Sequence, residues 1–307
     1  MEKDPYRPLI QQIVTPDTLE RGVSLYLSRE DRNDPLIQGN KFHKLKLNLA
    51  AAREQGLSTL LTFGGAYSNH IYATAMAGKR FGFETVGIIR GEKHPVLNPT
   101  LQAAANAGMT LYYIDRERYR NKYSEEVLRN LTHEFGDFYL LPEGGTNKLA
   151  VQGCRDMVKR LPLHFDFITL PAGTGGSAAG VISGLSIAPT VSTHVIAFSA
   201  LKGDFLKNDI ADLLQDEVIA PNVSWELETN YHFGGYAKIT PQLATFIKEF
   251  RLTHDVVLEP VYTGKMLFGL IDMIRKGRFE KDTRIMAIHT GGLQGLEGMR
   301  EQYGDVF

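Results

Sequence analysis

The chain has 307 residues, of which 43% are hydrophobic and 22% charged, a composition typical of a folded protein with one large or two smaller domains. Its 34 Lys and Arg residues nearly balance its 35 Asp and Glu residues, so its charge gives no indication of binding to nucleic acid or to an anionic membrane. A single cysteine, Cys154, excludes an intramolecular disulfide and an all-cysteine metal site.

The first residues carry early charges and two prolines in place of a long apolar run. No stretch of about 18 apolar residues follows that could span a membrane. We therefore expect a cytoplasmic protein without a secretory signal or a membrane-spanning helix.

Further along, short apolar runs alternate with segments of helical periodicity. The runs are apolar throughout, which is typical of parallel strands that are buried on both faces. They predict eight strands, at 23–28, 59–63, 85–90, 110–114, 138–141, 166–170, 194–199 and 284–289. The intervening segments predict ten helices, near 41–55, 68–81, 98–107, 124–135, 148–160, 176–188, 205–216, 241–252, 264–276 and 293–302.

This alternation predicts an α/β fold with open twisted parallel sheets and flanking helices. We expect two domains with a ligand cleft between them. The smaller domain spans 44–150, and the larger combines 1–43 with 151–307.

Glycine-rich turns recur where a predicted strand ends and a helix begins, at 63–70, 141–147, 170–180 and 289–295. A tight turn alone explains any one of them. Because ligands of open parallel sheets bind beyond the carboxyl ends of the strands, the four turns together predict one composite site.

The turn "PAGTGGSAAG" follows a strand and opens a helix of small residues, an arrangement suited to binding a phosphate with backbone N–H groups. It has neither the GxxxxGK[ST] nor the GxGxxG pattern, so a lone phosphate fits it better than a nucleotide, and a nicotinamide-dependent dehydrogenase is disfavoured. A side chain at Gly175 is expected to obstruct the phosphate. The candidate residues are Gly173, Thr174, Gly175, Gly176 and Ser177.

A second candidate feature is the lysine cluster of "IQGNKFHKLKLN" (37–48). We expect Asn40 to cap a helix that begins near Lys41, with Lys41 and Lys44 on one face. Mutual repulsion, the helix dipole and burial would all favour a neutral amine that can form a Schiff base. A solvated basic helix start is the alternative. Together with a phosphate loop, the cluster suggests pyridoxal phosphate (PLP), which carries one phosphate and one aldehyde.

Other reactive side chains are expected to be structural. Cys154 has no accompanying catalytic pattern and is predicted to be a packed thiol. His70 and His289 flank glycine turns and are predicted to be hydrogen-bonding groups rather than acids or bases. No metal-binding spacing is present, and "RERYRNK" (116–122) is predicted to be a solvated surface turn.

Six segments carry a family resemblance: "SREDRNDPLIQGNKFHKLK", "FGGAYSNH", "PEGGTN", "PAGTGGSAAG", "EPVYTGK" and "HTGG", in this order. Together they resemble the D-cysteine desulfhydrase and 1-aminocyclopropane-1-carboxylate (ACC) deaminase family. Its members are PLP enzymes with the tryptophan-synthase β-subunit fold (fold type II). The resemblance spans roughly residues 20–300.

The resemblance implies roles for individual residues. Lys41 would bind PLP covalently, and Lys44 would be a basic group near the reacting face. Asn69 would contact the 3-hydroxyl of the cofactor, and Ser68 would hold the substrate carboxylate or transfer a proton. The loop 173–177 would bind the phosphate.

On the substrate side the resemblance implies Tyr262 and Tyr236. Thr263 and Thr290 match the desulfhydrase branch of the family, whereas ACC deaminases resemble one another in having Glu and Leu there. A carboxylate beside the pyridine nitrogen would strengthen the electron sink for ring opening, and a threonine suffices for β-elimination. Tyr67 departs from the usual Gln and leaves the preferred substrate open.

These features predict a lyase that converts D-cysteine to pyruvate, ammonia and sulfide. The alternatives are ACC deamination, elimination or racemisation of another D-amino acid, and a catalytically inactive small-molecule-binding homologue. Family analogy implies a homodimer.

Overall fold

The computed structural model describes residues 9–159, 161–187 and 192–304. Within them, the strands are β1 (Ile10–Ile13), β2 (Ser24–Ser28), β3 (Thr59–Gly64), β4 (Glu84–Arg90), β5 (Thr110–Ile114), β6 (Tyr139–Leu141), β7 (Phe167–Ala172), β8 (Thr193–Ser199), β9 (Val223–Glu228) and β10 (Arg284–Ile288). The helices are α1 (Pro16–Arg21), α2 (Asn40–Glu54), α3 (Asn69–Phe81), α4 (Pro99–Asn106), α5 (Arg116–Arg120), α6 (Glu125–Phe135), α7 (Lys148–Cys154), α8 (Gly176–Ile187), α9 (Leu206–Leu214), α10 (Pro241–His254), α11 (Thr263–Arg275) and α12 (Gly295–Tyr303).

The larger sheet has the strand order β1-β2-β10-β7-β8-β9 and is parallel except for β1 at its edge. Along β10, Ile285 and Ala287 belong to one buried apolar cluster, which also contains much of α11. Met286 and Ile288 belong to a second cluster, which contains much of α8. Because successive side chains point to opposite faces, both faces of this sheet are covered, as the continuous apolar runs predict.

The smaller sheet has the order β5-β4-β3-β6 and is entirely parallel. Its central strand β3 is fully buried, with Leu60 in one apolar cluster and Leu61 and Phe63 in another. All of its strands fall between residues 59 and 141, and those of the larger sheet fall outside that range. The division at residues 44 and 150 itself stays a prediction.

All eight predicted strands and all ten predicted helices occur within a few residues of their expected positions. The helix expected at 148–160 ends at Cys154 and continues as a short 3-10 turn. Two strands (β1, β9) and two short helices (α1, α5) were not predicted. The prediction of a solvated turn at 116–122 is wrong in part, because the segment forms the short helix α5 and Tyr119 is buried.

Candidate functional site

A cleft lies where the four glycine turns meet, beyond the carboxyl ends of β3, β6, β7 and β10. Parallel strands end at the same edge of a sheet, which is why turns far apart in sequence converge there. The cleft is lined by most of the predicted site residues: Lys41, Lys44, Ser68, Asn69, Gly173, Thr174, Gly175, Gly176, Ser177, Tyr236, Tyr262 and Thr290. The sequence-based expectation of one composite site therefore agrees with the geometry.

The start of α2 places the first lysine in the cleft. The predicted cap at Asn40 is wrong: the helix begins at Asn40, and Gly39 precedes it with a positive φ of 69°. A Cβ at Gly39 would lie 1.9 Å from the backbone oxygen of Thr290, so only glycine allows this close approach. Asn40 instead donates a hydrogen bond of 2.8 Å from Nδ2 to the hydroxyl of Ser177.

Lys41 combines partial access from the cleft with a strongly shifted pKa. Its Nζ donates to Oδ1 of Asn40 at 3.2 Å. Burial, and next the positive charge of Lys44, lower the pKa of Lys41 to about 7. Near neutral pH about half of the Lys41 population is therefore neutral and nucleophilic.

Lys44 is buried. The sequence predicts a basic group near the reacting face, and in the structure its side chain contacts the phosphate loop. Its Nζ donates to the backbone oxygen of Gly144 at 3.0 Å, to the hydroxyl of Thr146 at 2.8 Å and to that of Thr174 at 3.3 Å. Desolvation lowers the pKa of Lys44 to about 8, so it remains largely charged at neutral pH.

The two lysine side chains are suited to binding an anion, because neither is paired with a carboxylate among the described residues. Within the described part of the chain, no carboxylate lies within 4.0 Å of the Nζ of Lys41 or of Lys44. Buried ammonium groups are costly unless paired. The start of α8 lines the same cleft, and a helix leaves most of its first N–H groups without intrahelical partners. A phosphate bound by this turn and by Lys44 would therefore pair with both.

The phosphate loop requires one correction. Gly175 has a φ of 74°, and a Cβ there would lie 2.9 Å from Cγ1 of Ile210 in α9, so its side chain would not enter the cleft as expected. Gly176 is the position that faces the cleft. A Cβ on it would lie 2.9 Å from the Thr146 side chain and 3.2 Å from Nζ of Lys44.

The N-terminus of α3 forms the opposite wall. Ser68 is the N-cap, and its Oγ accepts hydrogen bonds from the backbone N–H groups of His70 and Ile71 at 3.2 and 3.3 Å. Its own hydroxyl hydrogen is thus left to donate. Gln294 donates from Nε2 to Oδ1 of Asn69 at 2.9 Å, which leaves Nδ2 of Asn69 as a donor to a cleft ligand. Sequence reasoning missed Gln294.

For His70 the sequence predicts a hydrogen-bonding group rather than an acid or base. It is 1% exposed, lines the cleft, and neither of its ring nitrogens has a hydrogen-bond partner among the described residues. Burial and the charges of Lys41 and Lys44 hold its pKa well below 6.5, so the ring is neutral. An unsatisfied buried group costs about 1–3 kcal/mol, and a polar ligand in the cleft would offset this cost.

Tyr262 and Tyr236 lie together on the substrate side, with ring centroids 6.0 Å apart. Burial, and next the proximity of Tyr236, raise the pKa of Tyr262 well above 10. Burial raises the pKa of Tyr236 as well. Both hydroxyls are therefore protonated at neutral pH.

Two buried charged residues position these tyrosines, and sequence reasoning missed both. Glu259 accepts hydrogen bonds from the backbone N–H groups of Val261 at 2.8 Å and of Tyr262 at 3.0 Å, which fixes the turn before α11. Lys265 donates to the backbone oxygens of His232 and Gly235 at 2.9 and 2.8 Å, which fixes the loop that carries Tyr236.

Thr290 and Thr263 occupy different surroundings. Thr290 lines the cleft beside the turn shaped by His289, which donates from Nε2 to the Val257 oxygen and accepts at Nδ1 from the Gly291 N–H. The structural role predicted for His289 is confirmed. Thr263 begins α11, is fully buried, and is absent from the residues lining the cleft. Its contact with a pyridine ring stays a prediction.

The other expectations concern groups outside the cleft. Cys154 is fully buried, and burial raises its pKa to about 11, which confirms the packed thiol. Among the described residues, no group of three or more His, Cys, Asp or Glu side chains is placed to hold a metal ion. In the same part of the chain, none of the helices has the length and apolar character needed to traverse a bilayer.

The shifted pKa of Lys41 predicts a pH dependence. Because the pKa is lowered to about 7, the neutral amine is depleted below pH 7 and predominates above it. The rate at which cofactor-free protein combines with PLP should rise with pH, with a midpoint near 7 and a plateau above about 8, as followed by stopped-flow absorbance. A midpoint near 10, the ordinary value for lysine, would contradict this environment for Lys41.

Comparison with known proteins gives consistent matches. A family model described as "Pyridoxal-phosphate dependent enzyme" matches residues 11–291. A Pyrococcus horikoshii protein named putative 1-aminocyclopropane-1-carboxylate deaminase is 31% identical over 93% of this chain and 88% of its own. An Arabidopsis thaliana protein named bifunctional D-cysteine desulfhydrase/1-aminocyclopropane-1-carboxylate deaminase, mitochondrial, is 32% identical over 94% of this chain and 77% of its own. The crystal structure of an ACC deaminase homologue superposes with a TM-score of 0.82 at 28% identity, covering 99% of this chain and 94% of that one.

Proposed function

Within the family of pyridoxal-phosphate-dependent enzymes, to which the chain belongs, we propose that its main substrate is D-cysteine, which it converts to pyruvate, ammonia and sulfide. It is a PLP-dependent lyase of the ACC deaminase and D-cysteine desulfhydrase type, with the fold of the tryptophan-synthase β-subunit. Between these two activities, the choice of D-cysteine is our proposal.

The residues of the cleft fit PLP. The Lys41 amine suits its aldehyde, Lys44 and the first turn of α8 suit its phosphate, and Nδ2 of Asn69 suits its ring hydroxyl. The ring nitrogens of His70, which have no partner among the described residues, offer further polar contacts to a ligand. When bound, PLP supplies an electron sink for bond breaking at the α-carbon of an amino acid.

The surrounding side chains orient the substrate and carry its protons. The Ser68 hydroxyl and the N-terminus of α3 bind the substrate carboxylate, because the Ser68 hydroxyl hydrogen is left to donate and the helix dipole favours an anion there. Nζ of Lys41, with a pKa of about 7, is matched to taking up and returning the α-proton near neutral pH. Because burial raises the pKa of Tyr236, its hydroxyl is protonated near neutral pH and has a proton to give to the leaving sulfur.

One observation supports D-cysteine over ACC: the described residues that line the cleft include no carboxylate. Thr290 lies there instead, while Glu259 lies outside the cleft lining and accepts hydrogen bonds from backbone N–H groups. Without a carboxylate the pyridine nitrogen is not held protonated, and the electron sink is weaker. Expulsion of a thiolate tolerates this because the sulfur accepts the electrons, whereas opening a cyclopropane has no such leaving group.

ACC deamination is the second candidate, because the names of the Pyrococcus horikoshii and Arabidopsis thaliana relatives include it. The purified, PLP-loaded protein should be assayed with D-cysteine, L-cysteine, D-serine and ACC. Pyruvate, sulfide and 2-oxobutanoate release distinguish the reactions. We expect D-cysteine to have the highest kcat/KM, and a higher value for ACC would overturn the proposal.

The threonines provide a further prediction. Replacing Thr263→Glu together with Thr290→Leu should shift the ratio of kcat/KM for ACC over D-cysteine upward by about tenfold to a hundredfold. A charge-assisted hydrogen bond to the pyridine nitrogen is worth about 1.5–3 kcal/mol, and about 1.4 kcal/mol corresponds to a factor of ten. The conservative pair Thr263→Ser with Thr290→Ser is the control and should leave the ratio nearly unchanged. An unchanged ratio in the Glu/Leu protein would show that these positions do not select the reaction.

A cytoplasmic location and a homodimeric assembly are also proposals, and the second is supported by the family resemblance. Light scattering of the purified protein at micromolar concentration tests the second, and a monomer would overturn it.

A further inference from the structure

A second cavity, here called the annexe, adjoins the cofactor cleft on the substrate side. It is bounded by Tyr67, Ala237, Glu259, Pro260, Val261, Gly295 and Met299, and it shares Asn69, Tyr236, Tyr262 and Gly292 with the cleft. Because the two tyrosines border both cavities, the annexe extends the place where a substrate side chain lies.

The annexe is larger than the leaving groups considered so far. About 90 Å³ of the annexe is accessible to the centre of a water molecule. A cavity that holds a single water needs roughly 10–15 Å³ by the same measure. The β-thiol of D-cysteine adds one heavy atom, and ACC has no free β-substituent. Either substrate would therefore leave most of the annexe filled with water.

The side chains that the annexe presents to a ligand are mainly apolar and uncharged. Val261 and Met299 are each 7% exposed, and no Lys, Arg or His is among the described residues that line it. Its one carboxylate, Glu259, accepts hydrogen bonds from backbone N–H groups, and burial raises its pKa. A cationic group would find its one possible partner engaged, and an anionic group would find none, so a neutral apolar group is preferred.

Tyr67 borders the outer side of the annexe. It is 43% exposed, and its ring lies against α12, since a Cβ at Gly298 would be 2.8 Å from its Cε1. An aromatic ring at this place adds apolar wall.

We propose that the annexe binds the β-substituent of the substrate, and that the enzyme takes D-cysteine thioethers with short alkyl groups on sulfur. This inference rests on the proposed elimination reaction. The α-proton and the Cβ–S bond are lost, and the sulfur leaves with the bonding electron pair and takes up a proton to give an alkanethiol. The remaining aminoacrylate takes up water to give pyruvate and ammonia, so no oxidant or reductant is needed.

The first experiment measures binding without elimination. D-alanine, D-2-aminobutyrate and D-norvaline have no leaving group, and their Kd is obtained from the change in absorbance of the bound cofactor. Each added methylene should tighten binding about fourfold, the value for transferring one methylene out of water. Affinity that is flat or falls with chain length would overturn the proposal.

The second experiment changes the annexe. Met299→Trp fills it and should abolish the gain with chain length while leaving D-alanine binding intact. Met299→Ala enlarges it and should move the best-bound chain one or two carbons longer, a readout that remains if the Trp variant fails to fold. Met273→Ala is the matched control, because Met273 is also 7% exposed but lies outside the annexe. A gradient that survives in Met299→Trp, a best-bound chain that does not lengthen in Met299→Ala, or a gradient that is lost in the control would overturn the assignment.

The third experiment compares turnover of D-cysteine with that of S-methyl-, S-ethyl- and S-propyl-D-cysteine, measured as pyruvate release. Within the thioether series, from S-methyl to S-propyl, the kcat/KM should rise about fourfold per methylene. Turnover of D-cysteine alone would overturn the annexe proposal and leave the desulfhydrase function standing. A binding gradient in the first experiment without elimination of any cysteine would support the annexe and overturn the desulfhydrase function.

Discussion

Replacing Lys41→Ala should remove the long-wavelength absorption band of the bound cofactor and lower kcat by at least about a thousandfold. Lys41 is the amine in the cleft with a pKa near 7, and its neighbour Lys44 donates to three oxygens around the phosphate loop instead. Loss of Lys41 therefore removes both the amine for PLP and the group matched to carrying the α-proton. Absorbance spectra and pyruvate assays measure the two effects.

The control for this variant is Lys46→Ala. Lys46 stands on the same helix, but its side chain is 47% exposed and pairs with Asp156. Its loss should leave the spectrum and kcat within about twofold of the unmodified enzyme, as expected for an exposed pair. Equal losses in both variants would mean that the helix, and not the Lys41 amine, is responsible.

Replacing Gly176→Ala should weaken PLP binding by about tenfold to a hundredfold. The new methyl group would lie 2.9 Å from the Thr146 side chain and 3.2 Å from Nζ of Lys44, so it displaces the groups that face the phosphate. Loss of one charge-assisted hydrogen bond, about 1.5–3 kcal/mol, sets this range. Equilibrium titration of the cofactor-free protein with PLP gives the Kd.

Gly184→Ala, in the same helix α8, separates this effect from general destabilisation. A Cβ there would lie 3.0 Å from Cα of Arg155, away from the cleft, so it should lower the melting temperature without a comparable loss of PLP affinity. If both variants bind PLP equally well, the loop 173–177 does not hold the phosphate as described.

Most of the fold could be predicted from the sequence because its central strands are buried on both faces. The elements that escaped are those for which this criterion fails. β1 (IQQI) and β9 (VSWELE) are edge strands with polar residues and partial exposure, so neither forms a continuous apolar run. The short helix α1 had a detectable signal, since Thr15 and Thr18 cap each other and Pro16 follows the N-cap.

The types of residue at the site could be predicted from the sequence, but the directions in which their side chains point could not. Spacing placed Lys41 and Lys44 on one face of α2, yet only the folded chain brings Lys44 to Thr146 and Thr174 from two other turns. Likewise, no local pattern indicates that a side chain at Gly175 would face Ile210 while one at Gly176 faces the cleft. These facts depend on contacts between segments more than 20 residues apart.

We propose that PLP is bound covalently by Lys41, in the cleft formed by the four glycine turns. Borohydride reduction of the purified yellow enzyme fixes the cofactor to the amine that carries it, and digestion followed by mass spectrometry identifies the modified peptide. We predict a single phosphopyridoxyl group on Lys41 and loss of activity in proportion to labelling. Modification of Lys44 or Lys46 in its place, or a protein that takes up no PLP, would contradict the account.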